Sequence, residues 1–467
     1  MLQGVIVLVR SIVRNQKDFF NYALTRFLFK NAFFLFALRL CVLGLFMVAL
    51  MYGFFHPSSR TFHFNVGIFW SLFWPFFMVV SLGTFGALFC GICPHGFVGK
   101  YLTRYGLKRN MPTWMQNPLI GLGFLVLFYW LMLYLFPDSL KSPLAASLFF
   151  GAFTLVALLS FFLFKEMSYC KYLCPIGSIT SAFSKVSFTK LATYQDACLT
   201  CKGYECAKAC PYHLSPFNFD KNSSMKECKL CMECVSSCEA VGFFIQKPSA
   251  SLFTLSKAGK ISEVWTYVII ACVASIAMIL QNALGNSPIA DSLPWRIAAH
   301  AYEERFGVSR VSIEGCVVLL LAMTLTLTAT VGIYTCASRW LKLPFKNIFL
   351  VAGYAIAPVV IFGGMAQTIP FFFTHYAHEA INGVVLLFDP LGIPWKAYVA
   401  KNSGWLKAFA LMHFIGVFWG LKVLHARVKQ LGQLSHPWRT FFLLGTFHWL
   451  YLGLILFVIG VFIRGSV

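Results

Sequence analysis

The stretch PLAASLFFGAFTLVALLSFFLFKEMSYCKYLCPIGS, residues 143–178, decides the fold. From 143 to 164 it carries no charge, which is the length and composition a helix needs to cross a bilayer. Lys165 and Glu166 then end the apolar run, and Cys170, Cys174 and Pro175 follow at once. Working outward, eight more apolar runs of this kind lie near 31–55, 66–89, 118–136, 263–280, 311–335, 347–365, 405–424 and 441–463. With 59% hydrophobic and 12% charged residues, the chain reads as an all-α polytopic membrane protein of about nine spans. The apolar segment 371–388 would be a tenth run. Counting it as a span would put Arg427 and Lys429 outside, so it is expected to be re-entrant or interfacial.

The charges are lopsided, 38 Lys+Arg against 16 Asp+Glu, for a net charge of +22. No nucleic-acid-binding motif accompanies them. The positive-inside rule explains the excess, because the basic residues group in alternate loops. Lys100, Arg104, Lys108 and Arg109 form one group, Arg339, Lys342 and Lys346 a second, and Arg427, Lys429 and Arg439 a third. Those loops, with the polar stretch after residue 165, are expected on the cytoplasmic side. Residues 1–31 mix Arg10, Arg14, Lys17, Arg26 and Lys30 with apolar residues, show no cleavable signal peptide, and read as an amphipathic cytoplasmic surface segment. The expected organisation is therefore 1–31 amphipathic, 32–175 a four-span membrane domain, 176–262 a cytoplasmic insert, and 263–467 a membrane domain of about five spans.

Twelve of the 16 Cys fall in short-spaced clusters, which is ligand spacing and calls for a reducing compartment. Cys198-x2-Cys201-x4-Cys206-x3-Cys210-Pro211 and Cys228-x2-Cys231-x2-Cys234-x3-Cys238 follow the two-cluster ferredoxin order, in which the fourth Cys of each run crosses to the other cluster. Cys198, Cys201, Cys206 and Cys238 are assigned to one [4Fe–4S] cluster, and Cys228, Cys231, Cys234 and Cys210 to the other. Zinc binding or a disulfide framework are the plainer alternatives; zinc usually takes four ligands in two CxxC pairs, and eight Cys in this interleaved order point more specifically to iron–sulfur. The insert is thus a small α+β ferredoxin-like unit. Four more Cys precede prolines at the ends of two spans, in Cys90-Gly-Ile-Cys93-Pro94 and Cys170-Lys-Tyr-Leu-Cys174-Pro175. They suggest a third redox or metal site, holding a cluster or a soft ion such as Cu(I) or Zn, against the plainer reading of free thiols at helix ends. Cys41, Cys272, Cys316 and Cys336 stand alone and are expected in the core.

CGICPHG at Cys90, CKYLCPIGS at Cys170 and the double ferredoxin motif together resemble the membrane-bound polyferredoxins of the NapH, NosR and CcoG type. The resemblance covers about residues 33–244. It implies a bacterial inner-membrane, multi-pass electron-transfer protein, often in contact with quinol. The long C-terminal set of spans looks like the FtrD-type members, which accompany periplasmic iron-binding and permease proteins in ferrous-iron uptake.

Ionisable residues inside spans are functional candidates. His413 and His448 both fall near mid-membrane and could be axial ligands of a b-type haem, or hydrogen-bonded core residues. His375, His378 and Glu379 could bind a metal or quinol on the outer side. The expected function is electron transfer between a cytoplasmic or quinol donor and a periplasmic redox or metal-binding partner protein. The alternative is a metal-handling accessory or permease with regulatory clusters; no carboxylate-rich helix motif for ferric iron supports the latter.

Overall fold

The computed structural model describes residues 17–57, 64–69, 76–136, 142–199, 201–219, 224–247, 249–253, 259–307, 311–388, 399, 403–431 and 436–464. Nine helices carry the argument. They are α1 (Ala32–Phe55), α2 (Pro94–Tyr105), α3 (Pro143–Leu163), α4 (Pro175–Phe183), α5 (Ile261–Asn286), α6 (Ile313–Leu341), α7 (Phe345–Thr374), α8 (Gly404–Lys429) and α9 (Thr446–Arg464). All but α2 and α4 are long and apolar enough to span a membrane, which makes seven such helices among the described residues. The chain is a helical, multi-pass membrane protein.

Two of the nine expected spans differ from the reading. The run at 118–136 is a shorter apolar helix, Leu119–Leu135, with a π-helical middle at Leu125–Trp130. The run at 66–89 divides into Phe64–Gly67, a π-helical Phe76–Phe85 and Leu88–Ile92, and residues 70–75 lie outside the described ones. Segment 371–388 is not a separate re-entrant element. Its backbone continues the helix Ile356–Phe371 through a π turn, Phe372–Tyr376, into Ala377–Phe388. Pro370 inside that helix lacks the N–H of a regular turn, and the π turn follows directly.

Helix α7 is loosened at Tyr354 and Ala355, between Phe345–Gly353 and Ile356–Phe371. The carbonyls freed there need partners. Arg427 of α8 supplies them, donating to Val351 O at 2.9 Å and Leu350 O at 3.0 Å, and it also reaches Leu252 O at 2.8 Å. Beside it Lys185 pairs with Glu263 at 2.7 Å and donates to the Tyr354 hydroxyl at 3.0 Å. Glu263, an acid at the start of a span, is thus matched by a buried cation. Of the isolated cysteines only Cys272 is buried; Cys41 and Cys336 are exposed on their helices, because one face of a spanning helix turns to lipid and not to the core.

The insert is built on two antiparallel strands, β1 (Thr189–Thr193) and β2 (Val241–Ile245), paired Thr189 to Ile245 and Leu191 to Phe243. The ferredoxin cysteines lie on the short helices and loops between them. The N-terminal segment does more than lie on a surface. Asp18 is buried, accepts from Phe243 N at 3.1 Å and from the Tyr194 hydroxyl at 2.8 Å, and so stitches residues 17–21 to the edge of β2. Lys30 then pairs with Glu239, the residue after the last ferredoxin Cys. Arg10 and Arg14 lie outside the described residues.

Basic loops gather on the insert's side. Lys100 pairs with Glu233 at 2.8 Å, Arg427 reaches Leu252, and Gln430 donates to Phe253 O at 2.6 Å.

Candidate iron–sulfur centres

The insert folds its eight cysteines into two groups. Cys206 faces Cys238, Cys198 and Cys201: burial first, then those thiols, pushes it up to about 11. Cys231 is pushed up to about 12 by burial, with Cys210 among its neighbours. Cys228 also has Cys231 and Cys210 as charged neighbours, and Cys234 has Cys228, Cys231 and Cys210, with Cys206 of the other group last among them. Cys210 and Cys238 therefore stand with the run opposite their own.

The local backbone explains how so tight a spacing is reached. Leu230 and Met232 both take left-handed φ, 47° and 58°, between Cys228 and Cys234. Such reversals curl successive N–H groups inward into an anion-binding concavity. The Leu230 and Glu233 amides accordingly donate to Cys228 and Cys231. In the first run, the longer loop before Cys206 places a half-exposed Tyr204 in the left-handed region, so this group lies nearer the solvent.

The two Cys-Pro motifs form a third group. Cys90, Cys93, Cys170 and Cys174 line one cavity of about 160 Å³, walled mainly by aromatic rings including Phe77, Phe89, Phe150 and Tyr169. The motifs differ by one residue, and the backbone absorbs the difference. Cys90 sits on an α-helical turn, Leu88–Ile92, whereas Cys170 sits on a π turn, Tyr169–Leu173, in which Cys174 N donates to Tyr169 O at 2.8 Å. A π turn holds one residue more than an α turn, so both second cysteines arrive equivalently. Each is then the N-cap of the next helix, Cys93 for α2 and Cys174 for α4, with Pro at the first helical position. Two helix N-termini thus point at the same cavity, and their dipoles favour negative sulfur there.

Glycine completes the cradle. Gly177 N donates to Cys174 Sγ at 3.4 Å, and Gly96 N does the same for Cys93. A Cβ at Gly177 would overlap the Cys170 carbonyl oxygen, backbone that cannot move aside. Gly177→Ala is expected to cost about 1–3 kcal/mol through overpacking and to lower the iron bound per chain, as checked by thermal unfolding and iron analysis.

These residues fit an iron–sulfur cluster. Burial is the main cause that holds Cys93 up at about 12 and Cys174 at about 11, so four thiolates here require compensating cationic metal. Among the described residues, no three His, Cys, Asp or Glu side chains converge on a point where one ion could bind. The fit rests on the donor set: four soft thiolates brought to one cavity at two helix N-termini.

The cradle and the insert interlock. Arg39 of α1 donates to Gly91 O at 3.0 Å, to Cys231 O, and to Glu233 at 2.9 Å. The buried Tyr212 hydrogen-bonds Cys170 of the cradle and has Cys231 of the insert as a charged neighbour. His95, inside the Cys93 motif, is held by Thr154 at 2.9 Å. Tyr212 and His95 were not singled out by the sequence; only their closeness to Cys-Pro pairs could have marked them.

The histidines of the second half take other places. His413 Nδ1 pairs with the Tyr451 hydroxyl at 2.8 Å, and His448 Nε2 with Ala355 O at 2.9 Å. His413 meets α7 at Gly363 and His448 meets it at Ala355, eight residues earlier. At 1.5 Å per residue these contact points lie about 12 Å apart along α7. Each imidazole thus has one ring nitrogen engaged inside the helix bundle. For His375 and Glu379 only the helical backbone is described, their side chains lying outside the described residues. His378 Nδ1 is buried with no hydrogen-bond partner among the described residues.

Such grouped thiols on a polytopic helical base define an iron–sulfur electron-transfer protein of the membrane. The family described as 4Fe-4S binding domain matches twice, at residues 66–112 and 146–191. Both matches cover the Cys-Pro motifs and stop short of Cys198. Escherichia coli K12 has a relative named "Putative electron transport protein YccM", 28% identical over 253 residues, which are 48% of this chain and 69% of that one. Uncharacterized protein MJ0750 of Methanocaldococcus jannaschii is 31% identical over 179 residues, 35% of this chain and 73% of its own. No solved structure matches. The chain belongs to this family of 4Fe-4S binding membrane proteins, and it carries iron–sulfur clusters.

Proposed function

We propose that the chain holds three [4Fe–4S] centres in a row and passes electrons between a cytoplasmic or quinol donor and an acceptor at the outer face of the inner membrane. Cys198, Cys201, Cys206 and Cys238 hold the outermost centre. Cys228, Cys231, Cys234 and Cys210 hold the middle one, and Cys90, Cys93, Cys170 and Cys174 hold the one at the membrane. When bound, each cluster supplies a one-electron carrier. The observation that carries this reading is the convergence of both Cys-Pro motifs, each within a 4Fe-4S family match, on one cavity against the ferredoxin run.

The chain's own residues support the order. The first group lies nearest the solvent, Tyr212 stands between the second group and the cradle, and Phe46, Phe149 and Phe153 help to line the cradle cavity. Apolar aromatic walls there suit a lipid-soluble quinol. A periplasmic redox or metal-binding protein, as in ferrous-iron uptake, would be the partner on the far side.

Proteoliposomes test this. Dithionite is added outside and ferricyanide is trapped inside, with valinomycin and potassium to balance charge. Trapped ferricyanide should be reduced by the protein and spared in empty vesicles. Equal rates with and without the protein would refute transfer across the membrane.

A further inference from the structure

Lys229 stands between Cys228 and Cys231, yet its side chain leaves the ferredoxin run. It is 1% exposed. Its Nζ donates to Gly177 O at 2.6 Å, Ser181 Oγ at 2.7 Å and Thr180 Oγ1 at 3.2 Å. All three acceptors belong to α4, the helix that begins at the Cys174-Pro175 motif. An ammonium has three N–H groups, and all are used. None of these partners is an acid, so the positive charge is anchored but not neutralised by them. The nearby acids are engaged elsewhere: Glu263 with Lys185, and Glu227 with Lys260 at 3.2 Å.

One buried cation therefore lies between two groups of thiols. Lys229 lines the cradle cavity together with all four Cys-Pro thiols. Thr180 Oγ1, one of its acceptors, is 3.5 Å from Cys90 Sγ. On the other side its own backbone joins two ligands of the middle group. Burial dominates the upward shift of Cys170, Cys174 and Cys228, and Lys229 is among the groups that oppose it at all three.

We propose that Lys229 is a positioning residue that raises the reduction potentials of two neighbouring iron–sulfur centres together, the cradle's and the one held by Cys228, Cys231, Cys234 and Cys210. The inference rests on the three-centre reading above. Reduction adds one electron and no atom to a centre, so its net charge becomes more negative. A fixed cation in a low-dielectric interior stabilises that reduced form. Net charge and hydrogen bonding are known levers on cluster potential. Because one ammonium serves both centres, their potentials move in the same direction, and neither becomes a trap for an electron in transit.

The test is a redox titration of the full-length protein in detergent, followed by EPR, with iron measured on each sample. In Lys229→Gln, two of the three signals should shift to lower potential. At the wild-type midpoint the reduced-to-oxidised ratio of each should fall tenfold or more, which is ~59 mV for one electron. The third signal should stay in place, and Lys229→Arg should restore both. Lys229→Gln with full iron and unmoved potentials would overturn the inference. Should that variant lose iron, Thr180→Val/Ser181→Ala keeps the lysine and removes two anchors; lowered potentials there support the inference, and unchanged ones overturn it. A wild-type protein without cubane signals would sink the three-centre reading itself.

Discussion

Cys174→Ser should remove about four irons per chain, the content of one cubane cluster, and leave the signals of the other two centres in place. Its effect on electron transfer across the membrane should be far larger, a loss of tenfold or more in ferricyanide reduction. The reason lies in the cradle's construction. Cys174 is at once a thiol of the cavity, the N-cap of α4 and the acceptor of the Gly177 amide. A serine hydroxyl keeps the cap but binds iron poorly, and the remaining thiols are buried too deeply to stay ionised without metal. Cys93→Ser should behave alike, since Cys93 holds the matching place on α2. Iron analysis with EPR on each variant checks the content, and the vesicle assay checks the transfer. Full iron in both variants would mean that the four thiols hold nothing in common.

Cys210→Ser should damage the centre of the second run, although Cys210 belongs to the first. Cys210 stands against Cys228, Cys231 and Cys234, whereas Cys238 stands against Cys198 and Cys201. The signal perturbed by Cys210→Ser should thus be the one perturbed by Cys231→Ser, and Cys238→Ser should perturb the one perturbed by Cys201→Ser. Such a shift to partial or altered occupancy should also break the middle of the path, with a transfer loss comparable to that of Cys174→Ser. EPR of the four variants side by side decides it. If Cys210→Ser and Cys201→Ser changed the same signal, the crossed arrangement would be wrong.

Much of this molecule was legible because membrane burial and metal ligation both leave short-range signals. Seven expected spans reappear as long apolar helices, since twenty uncharged residues have few alternatives in lipid. The Cys order alone carries the expected crossed grouping that the four variants test. The regions that escaped the reading depend on packing between distant segments. Nothing in CKYLCP announces a π turn at Tyr169–Leu173, because the extra residue is accommodated only when the motif is held against its partner. Lys229 reads in sequence as one more charge in a basic insert, and only the docked α4 makes it a buried cation. Asp18 likewise appears as an isolated acid until the edge of β2 gives it donors. The partners of His413 and His448 were hidden for a related reason: similar depth along two helices says nothing about where each meets a third.

The measurement that bears most directly on the central claim is the iron and acid-labile sulfide content of anaerobically purified protein, taken with its EPR spectrum after dithionite reduction. Three centres require about twelve irons and about twelve sulfides per chain, with three interacting cubane signals. About eight irons, with the content unchanged on removing Cys93 and Cys174, would contradict a cluster in the Cys-Pro cradle.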